Sequence, residues 1–296
     1  MAKGKEQRTL LKGRELMSMY HYREYFFTKT KTGESAWDSA SYRSGEKLYD
    51  RDNAKHVFRK DNVDIVAYSN IYLPDGCPER LRDRQTLWDE IMVAEKNKNA
   101  QWGHEYELSF SNELSFEQCK EITERFIAEQ LTKKGMICDA NIHWKEGNHH
   151  VHITTPTRPF DLEKDAFGAK SKKVDGKKIS LVSDWYDRES LKERRKMWAD
   201  LQNEYLSPDK QVSEKSYKDQ GIEKTPRRFL SRGDYEALKD ITNGKDISER
   251  HLSHPETLIS ILEDRRKTLD TELIKLQDGI KESQKDEKSQ EDKKKI

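Results

Sequence analysis

At 296 residues the chain is long enough to bury a real core, in one large domain or two modest ones. Only 33% of it is hydrophobic against 38% charged, with a mean hydropathy of -1.10, so a globular part must be joined to highly solvated helices or tails. A net charge of +1 excludes a global basic excess, and any polyanion site must come from local segregation of Lys and Arg.

The three cysteines, Cys77, Cys119 and Cys138, are few and odd in number, and no C-x-x-C pattern is present, which fits a reducing cytoplasm. No apolar run approaches the roughly 20 residues of a membrane span, and the N-terminus lacks a signal-peptide core. The expectation is a soluble cytoplasmic protein.

Residues 1–16 are basic, poor in apolar residues and expected to be flexible. Met17 to Phe27 is rich in aromatics and reads as a strand, followed by a polar turn to Gly33. From Glu34 to Tyr49, Ala36, Ala40 and Arg43 recur at helical spacing and Gly45 suits a helix end. This helix carries Tyr42 near its C-terminal end, behind the small residues Ala40 and Ser41. A tyrosine placed so, with Arg43 beside it for phosphate, is a possible nucleophile toward a phosphodiester. On local chemistry alone the simpler reading is one of 12 tyrosines, half packed against a sheet.

Asp64–Ser69 suits an edge strand or a helix start, and residues 73–78 a loop. Arg82 to Asn99 is helical, with Leu87, Ile91 and Ala94 on one face. Glu105 to Phe110 alternates acid with apolar and reads as a strand. Glu105 and Glu107 then share a face, as metal-site carboxylates or as solvated edge residues. Ser115 and Gln118 stand at capping-box spacing and open a helix that runs to about Lys134, before Gly135.

Four of the nine histidines lie between His143 and His152. Asn148 to Thr154 alternates as a strand does, placing His150, His152 and Thr154 on one face and Val151 and Ile153 on the other. Asn141–Trp144 is strand-like too, and the Lys145–Asn148 segment is a polar connection of the hairpin kind. A hairpin in register brings His143 beside His150 and His152, and three convergent imidazoles can hold a divalent metal.

Beyond Phe160 the composition turns basic. Lys170, Lys172, Lys173, Lys177 and Lys178, with Gly168 and Gly176 among them, read as a flexible stretch, able to track a phosphate backbone or simply solvated. Asp184 to Tyr205 returns to helix, Gly221 to Arg228 is a turn with a basic end, and 256–282 reads as an amphipathic helix before a frayed tail. The fold class is α+β, an antiparallel central sheet with helices packed on one side and a helical C-terminal region. The expected divisions are 1–16, a main domain 17–230, and a charged helical region 231–296.

Taken together, Ser39-Ala40-Ser41-Tyr42-Arg43-Ser44-Gly45, the Glu95–Gln101 segment leading into Glu105-Tyr106-Glu107-Leu108, and His143 with His150-Val151-His152 resemble the MobA/MobL family of plasmid relaxases, single-tyrosine HUH endonucleases. The resemblance covers roughly residues 17–230. It implies that Tyr42 attacks the scissile phosphate of single-stranded origin-of-transfer DNA and stays linked to its 5′-phosphate. It implies a metal triad of His143, His150 and His152 with Glu105 and Glu107 as acidic residues beside it. Arg43, Lys47, Lys170, Lys172 and Lys173 become the candidate DNA contacts. The expected cofactor is Mn²⁺ or Mg²⁺, with Zn²⁺ also suited to three imidazoles. A secretion-system coupling protein and accessory mobilisation proteins are the further implied partners.

Two positions depart from the family pattern. His149 stands where a proline commonly precedes the H-x-H pair, and Pro226 is followed by Arg227-Arg228-Phe229-Leu230 rather than by His-Leu. Alternation points His149 away from the site. The rival readings are a rolling-circle replication initiator, a non-catalytic single-strand DNA-binding protein, and a metal-dependent hydrolase with no DNA role, against which the sparse aspartates around the histidines argue. The tyrosine precedes the histidine pair here, the order that favours the relaxase over the initiator.

Overall fold

The computed structural model describes residues 20–28, 35–58, 65–97, 99–145, 147–221 and 231–267, with a few helical positions beyond. The chain forms two compact units, Met1–Glu214 and Lys215–Ile296.

The first unit is built on a five-stranded antiparallel sheet. Its strands are β1 (Tyr22–Thr28), β4 (Val66–Tyr72), β5 (Gln101–Ser109), β6 (Cys138–Lys145) and β7 (Asn148–Pro156), in the order β1-β5-β7-β6-β4. Three of them alternate strictly over the middle of the sheet. Tyr106 and Leu108, Ala140 and Ile142, and Val151 and Ile153 are buried toward one face. That face packs on α3 (Phe116–Gln130), through Cys119, Ile122, Phe126 and Ile127, and on α4 (Arg188–Asn203), through Trp198, Ala199 and Leu201. Each large side chain buried there contributes about 1.5–3 kcal/mol. The expected capping box is present: Ser115 accepts from the Gln118 backbone, and the Gln118 side chain accepts from the Ser115 backbone. After Thr132–Lys134, a single 3-10 turn, Gly135 takes a left-handed φ of 85° that a residue with a Cβ would adopt only with strain.

The opposite face carries the polar residues, and it too is covered. Helix α1 (Ala36–Ser44) supplies Ala36, Trp37 and Ala40, and α2 (Arg84–Ala94) supplies Leu87, Trp88 and Ile91, to a second apolar cluster with Phe27 and Ile71. Helices therefore lie on both sides of the sheet, not on one as the sequence suggests. Small residues make the α1 face hard to read as apolar, and the strand face beneath it is itself largely polar.

Smaller differences follow local chemistry. Helix α1 stops at Gly45 as its sequence suggests, and beyond it Leu48–Asp50 pairs with Lys55–Val57 as a short hairpin, β2 and β3. The ambiguous segment around Val66 is strand β4. The basic stretch is not an irregular loop: after the short β8 (Phe160–Asp161) and β9 (Ala166–Phe167), Ser171–Val174 and Lys177–Ser180 pair as the hairpin β10–β11, turning at Asp175-Gly176.

In the second unit α5 (Arg232–Thr242) is capped by Ser231, and helix resumes at Pro255, with Leu258 buried and Leu269 and Leu273 exposed. The N-terminal stretch 1–16, the segment from Ile222 through Leu230, and the tail 283–296 lie outside the described residues. No helix among the described residues is long and apolar enough to cross a membrane.

Candidate active site

The polar sheet face can be read as rows across the strands. Cross-strand partners place Ser109, His150 and His143 in one row, with the His21 carbonyl accepting from the Ser109 backbone. The next row is Arg23, Glu107, His152, Asn141 and Ser69. The third is Tyr25, Glu105, Thr154, Asp139 and Ile71. The β6–β7 hairpin has the register that the sequence requires, His143 facing His150 directly.

One ring nitrogen from each of His143, His150 and His152 lies within 4.8 Å of the others. One nitrogen of each ring is engaged in a hydrogen bond. His143 Nε2 donates to the Arg43 carbonyl at 2.8 Å, and His150 Nδ1 donates to the Asn148 carbonyl at 2.8 Å. His152 Nδ1 donates to Glu105 Oε1 at 2.6 Å. Carbonyl and carboxylate oxygens only accept, so each engaged nitrogen carries a proton, and in the neutral ring the other keeps a lone pair. Burial, helped by the His152 ring, pushes His143 down to about 3, and the same causes push His150 down to about 4. Both are neutral at pH 7, the form that binds metal. This donor set, each ring held by a hydrogen bond, suits a divalent cation that accepts nitrogen.

Tyr42 meets this cluster from α1. Ser35 caps the helix by accepting from the Asp38 backbone at 3.1 Å, and Gly45, left-handed at φ 72°, ends it. The Tyr42 side chain is 42% exposed, with ring centroids 6.3 Å from His143 and 6.5 Å from His152. Nucleophile candidate and triad are joined by the bond from the His143 ring to the Arg43 carbonyl, 100 residues apart in sequence.

Glu105 is fully buried. Its carboxylate accepts from Arg43 Nε at 2.8 and 2.9 Å, from His152 and from Thr154 Oγ1 at 2.6 Å. Burial pushes its pKa up, but Arg43 and the His152 and Thr154 bonds outweigh this and hold it at about 2. It is a support for His152 with no oxygen to spare. Glu107 is half-buried on the same face, 3.7 Å from Arg23.

The candidate DNA contacts separate. Arg43 is not available to phosphate: its guanidinium is buried, bonded to Glu105, to Ser39 and to the Tyr25 hydroxyl. Lys170 is half-buried and paired with Glu95 at 2.7 Å. Lys47, Lys172 and Lys173 are exposed. His149 turns away from the triad and stacks on Trp144, centroids 3.7 Å apart. Sequence reasoning placed Thr154 on the histidine face but missed Arg23 and the buried set Asp139, Asn141 and Arg84. The polar alternation Asp139, Asn141, His143 was a signal for two of them.

A family model described as "MobA/MobL family" matches residues 34–232. The chain is 29% identical over 226 residues to the "Probable conjugal transfer protein TraA" of Sinorhizobium fredii, covering 68% of this chain and 20% of that protein. It is 23% identical over 267 residues to the "Mobilization protein MobL" of Acidithiobacillus ferridurans, covering 79% of this chain and 67% of that protein. Thus it spans about a fifth of the TraA relatives' length. A solved structure reported under "Molecular Basis of Vancomycin Resistance Transfer in Staphylococcus aureus" superposes with a TM-score of 0.59 at 30% identity, covering 68% of this chain and 100% of that one. With the tyrosine helix, the histidine hairpin and four of the five sheet strands inside the matched segment, the chain belongs to the MobA/MobL family.

Proposed function

We propose that the chain is a site- and strand-specific DNA relaxase, which nicks one strand at an origin of transfer and rejoins it after transfer. One observation carries this reading: an exposed tyrosine on a capped helix meets three imidazoles whose ring nitrogens converge. Relatives named for conjugal transfer and mobilisation support the setting.

In this reading the Tyr42 hydroxyl oxygen attacks the scissile phosphorus. The new O–P bond forms as the bond to the 3′ oxygen breaks, the phenolic proton leaves to solvent, and the departing oxygen is protonated as a free 3′-OH. The 5′-phosphotyrosine keeps the phosphodiester energy, so attack by a 3′-OH reverses the step. Hydrolysis by water would lose it. His143, His150 and His152 would hold a divalent cation, which when bound would offset the charge that builds on the non-bridging oxygens. Mn²⁺ and Zn²⁺ suit three imidazoles, and Mg²⁺ prefers oxygen. Glu105 orients His152 rather than taking a proton, and Glu107 stands at the rim. Lys47, Lys172 and Lys173 are the lysines placed to meet phosphate. The partner is single-stranded origin DNA in the cytoplasm, together with the coupling and accessory proteins of the transfer machinery.

The test is a labelled single-stranded oligonucleotide carrying the cognate origin, incubated with Mn²⁺ and resolved on a denaturing protein gel. A labelled band at the protein's mass, lost on chelation and in Tyr42→Phe, is the expected result. Cleavage by Tyr42→Phe would refute the tyrosine mechanism, and cleavage without adduct would indicate a hydrolytic nuclease.

A further inference from the structure

The tyrosine helix is tied to the sheet by two guanidinium groups. Arg43 is the first, through Glu105. The second is Arg84, the first residue of α2, and nothing in the proposed chemistry uses it. Its Nε donates to Asp139 Oδ2 and its Nη2 to Asp139 Oδ1, both at 2.9 Å. Nη2 also donates to Ser69 Oγ at 2.8 Å, and Nη1 donates to Glu46. Trp88 Nε1 donates to Asp139 at 3.1 Å, and Asn141 Nδ2 donates to it at 2.9 Å. Arg84 and Asp139 are buried, at 4% and 1% exposure.

The two ends of this network are informative. Asn141 is the cross-strand partner of His152, and Asp139 that of Thr154. Glu46 comes directly after the Gly45 that ends α1, and its carbonyl accepts from Ser41 Oγ at 2.7 Å, beside Tyr42. A chain of charge-assisted bonds thus runs from the end of the tyrosine helix to the strand that carries His143. Buried ion pairs are poor sources of net stability, since well-packed apolar residues of the same volume do as well. A planar fork does fix three groups in one geometry.

We infer that Arg84 is a positioning residue: through Glu46 it fixes the C-terminal end of the Tyr42 helix against β6 and so sets the approach of the Tyr42 hydroxyl to the histidine cluster. The inference rests on the reading of Tyr42 as nucleophile. Displacement of a reacting group by about 1 Å costs on the order of 10²-fold in rate without a matching loss of binding.

The experiment uses the full chain, Mn²⁺ and the labelled origin oligonucleotide, with adduct formation followed in a single turnover. Glu46→Gln removes the charged end of the link at a side chain that is 50% exposed and leaves the Arg84–Asp139 pair intact, so it folds whatever the outcome. Arg84→Lys keeps a charge on Asp139 but has no fork to span Asp139, Ser69 and Glu46. Adduct formation is expected to slow about tenfold in Glu46→Gln and more in Arg84→Lys, with Mn²⁺ affinity by EPR titration and oligonucleotide affinity within about twofold of wild type. Wild-type rates in both variants would overturn the inference alone. A rate loss matched by an equal loss of Mn²⁺ affinity would also overturn it, because the network would then act through the triad. Failure of the wild type to form any adduct would remove the relaxase reading, and the inference with it.

Discussion

Glu105 has no exposed surface and meets an arginine, an imidazole and a hydroxyl at once. Glu105→Gln keeps the shape, removes the charge and turns an amide nitrogen toward groups that themselves donate. Arg43 is left buried and uncompensated, so a loss of about 3–5 kcal/mol is expected in metal-free melts. Mn²⁺ affinity should weaken by about 10–100-fold, because His152 loses the acceptor that fixes its tautomer. The pH dependence has a definite sign. The carboxyl is held at about 2 in the fold against an ordinary value of 4.5, so its stabilisation is complete above 4.5 and is lost as pH falls toward 2. The deficit of Glu105→Gln should therefore be constant from about pH 6 to 9 and narrow below about pH 4.5. Narrowing around pH 6.5 instead would trace it to a histidine. Arg43 shows what local reading overlooks. Its place next to Tyr42 suggests a phosphate contact, yet helical spacing already sets it with Ala36 and Ala40 on the buried face, where its guanidinium also bonds Ser39.

Among the elements, the β6–β7 hairpin was legible because every signal agreed: alternation in both strands, a polar connection, and apolar residues only on the face away from the histidines. Helix α3 was legible through its capping box and apolar stripe. The strand order β1-β5-β7-β6-β4 and the pairing of Arg84 with Asp139 were not, since both join segments far apart in sequence and leave no periodic trace. The β10–β11 hairpin misleads for another reason. Its strands bury almost nothing, Lys173 faces Lys178 across the ladder, and composition alone reads as loop. Among the described residues no carboxylate pairs with Lys172 or Lys173, whereas Lys170 is held by Glu95. If the hairpin meets DNA, a double Lys172→Ala, Lys173→Ala variant should bind the origin oligonucleotide more weakly, with the salt dependence shallower by roughly 1–2. The adduct rate at saturating DNA should not change. Lys170→Ala should alter the salt dependence less. An unchanged salt dependence in the double variant would place the hairpin off the DNA.

For the whole molecule the question is how much chain the site needs. Tyr42, the triad and both guanidinium networks lie within Met1–Glu214, and so do both apolar clusters that cover the sheet. The last residue of the first unit's core is Val212, whose backbone is clasped by Asn203: the amide nitrogen donates to the Val212 carbonyl and the amide oxygen accepts from its N–H, both at 2.8 Å. A fragment ending at Glu214 is therefore expected to melt cooperatively, to bind Mn²⁺ as the full chain does, and to form adduct within about threefold of its rate. A fragment ending at Asn203 would lose Leu206 and Val212 from the core, at about 1.5–3 kcal/mol each, and should melt well below it. The family match runs on to residue 232, past the end of the first unit, and gives the competing expectation. A fragment ending at residue 232 decides between them. Equal melting, metal affinity and adduct rate in the 214 and 232 fragments would make the first unit the whole working domain. Recovery of adduct rate only in the longer fragment, with melting and Mn²⁺ affinity already equal, would assign residues 215–232 to holding DNA rather than to building the site.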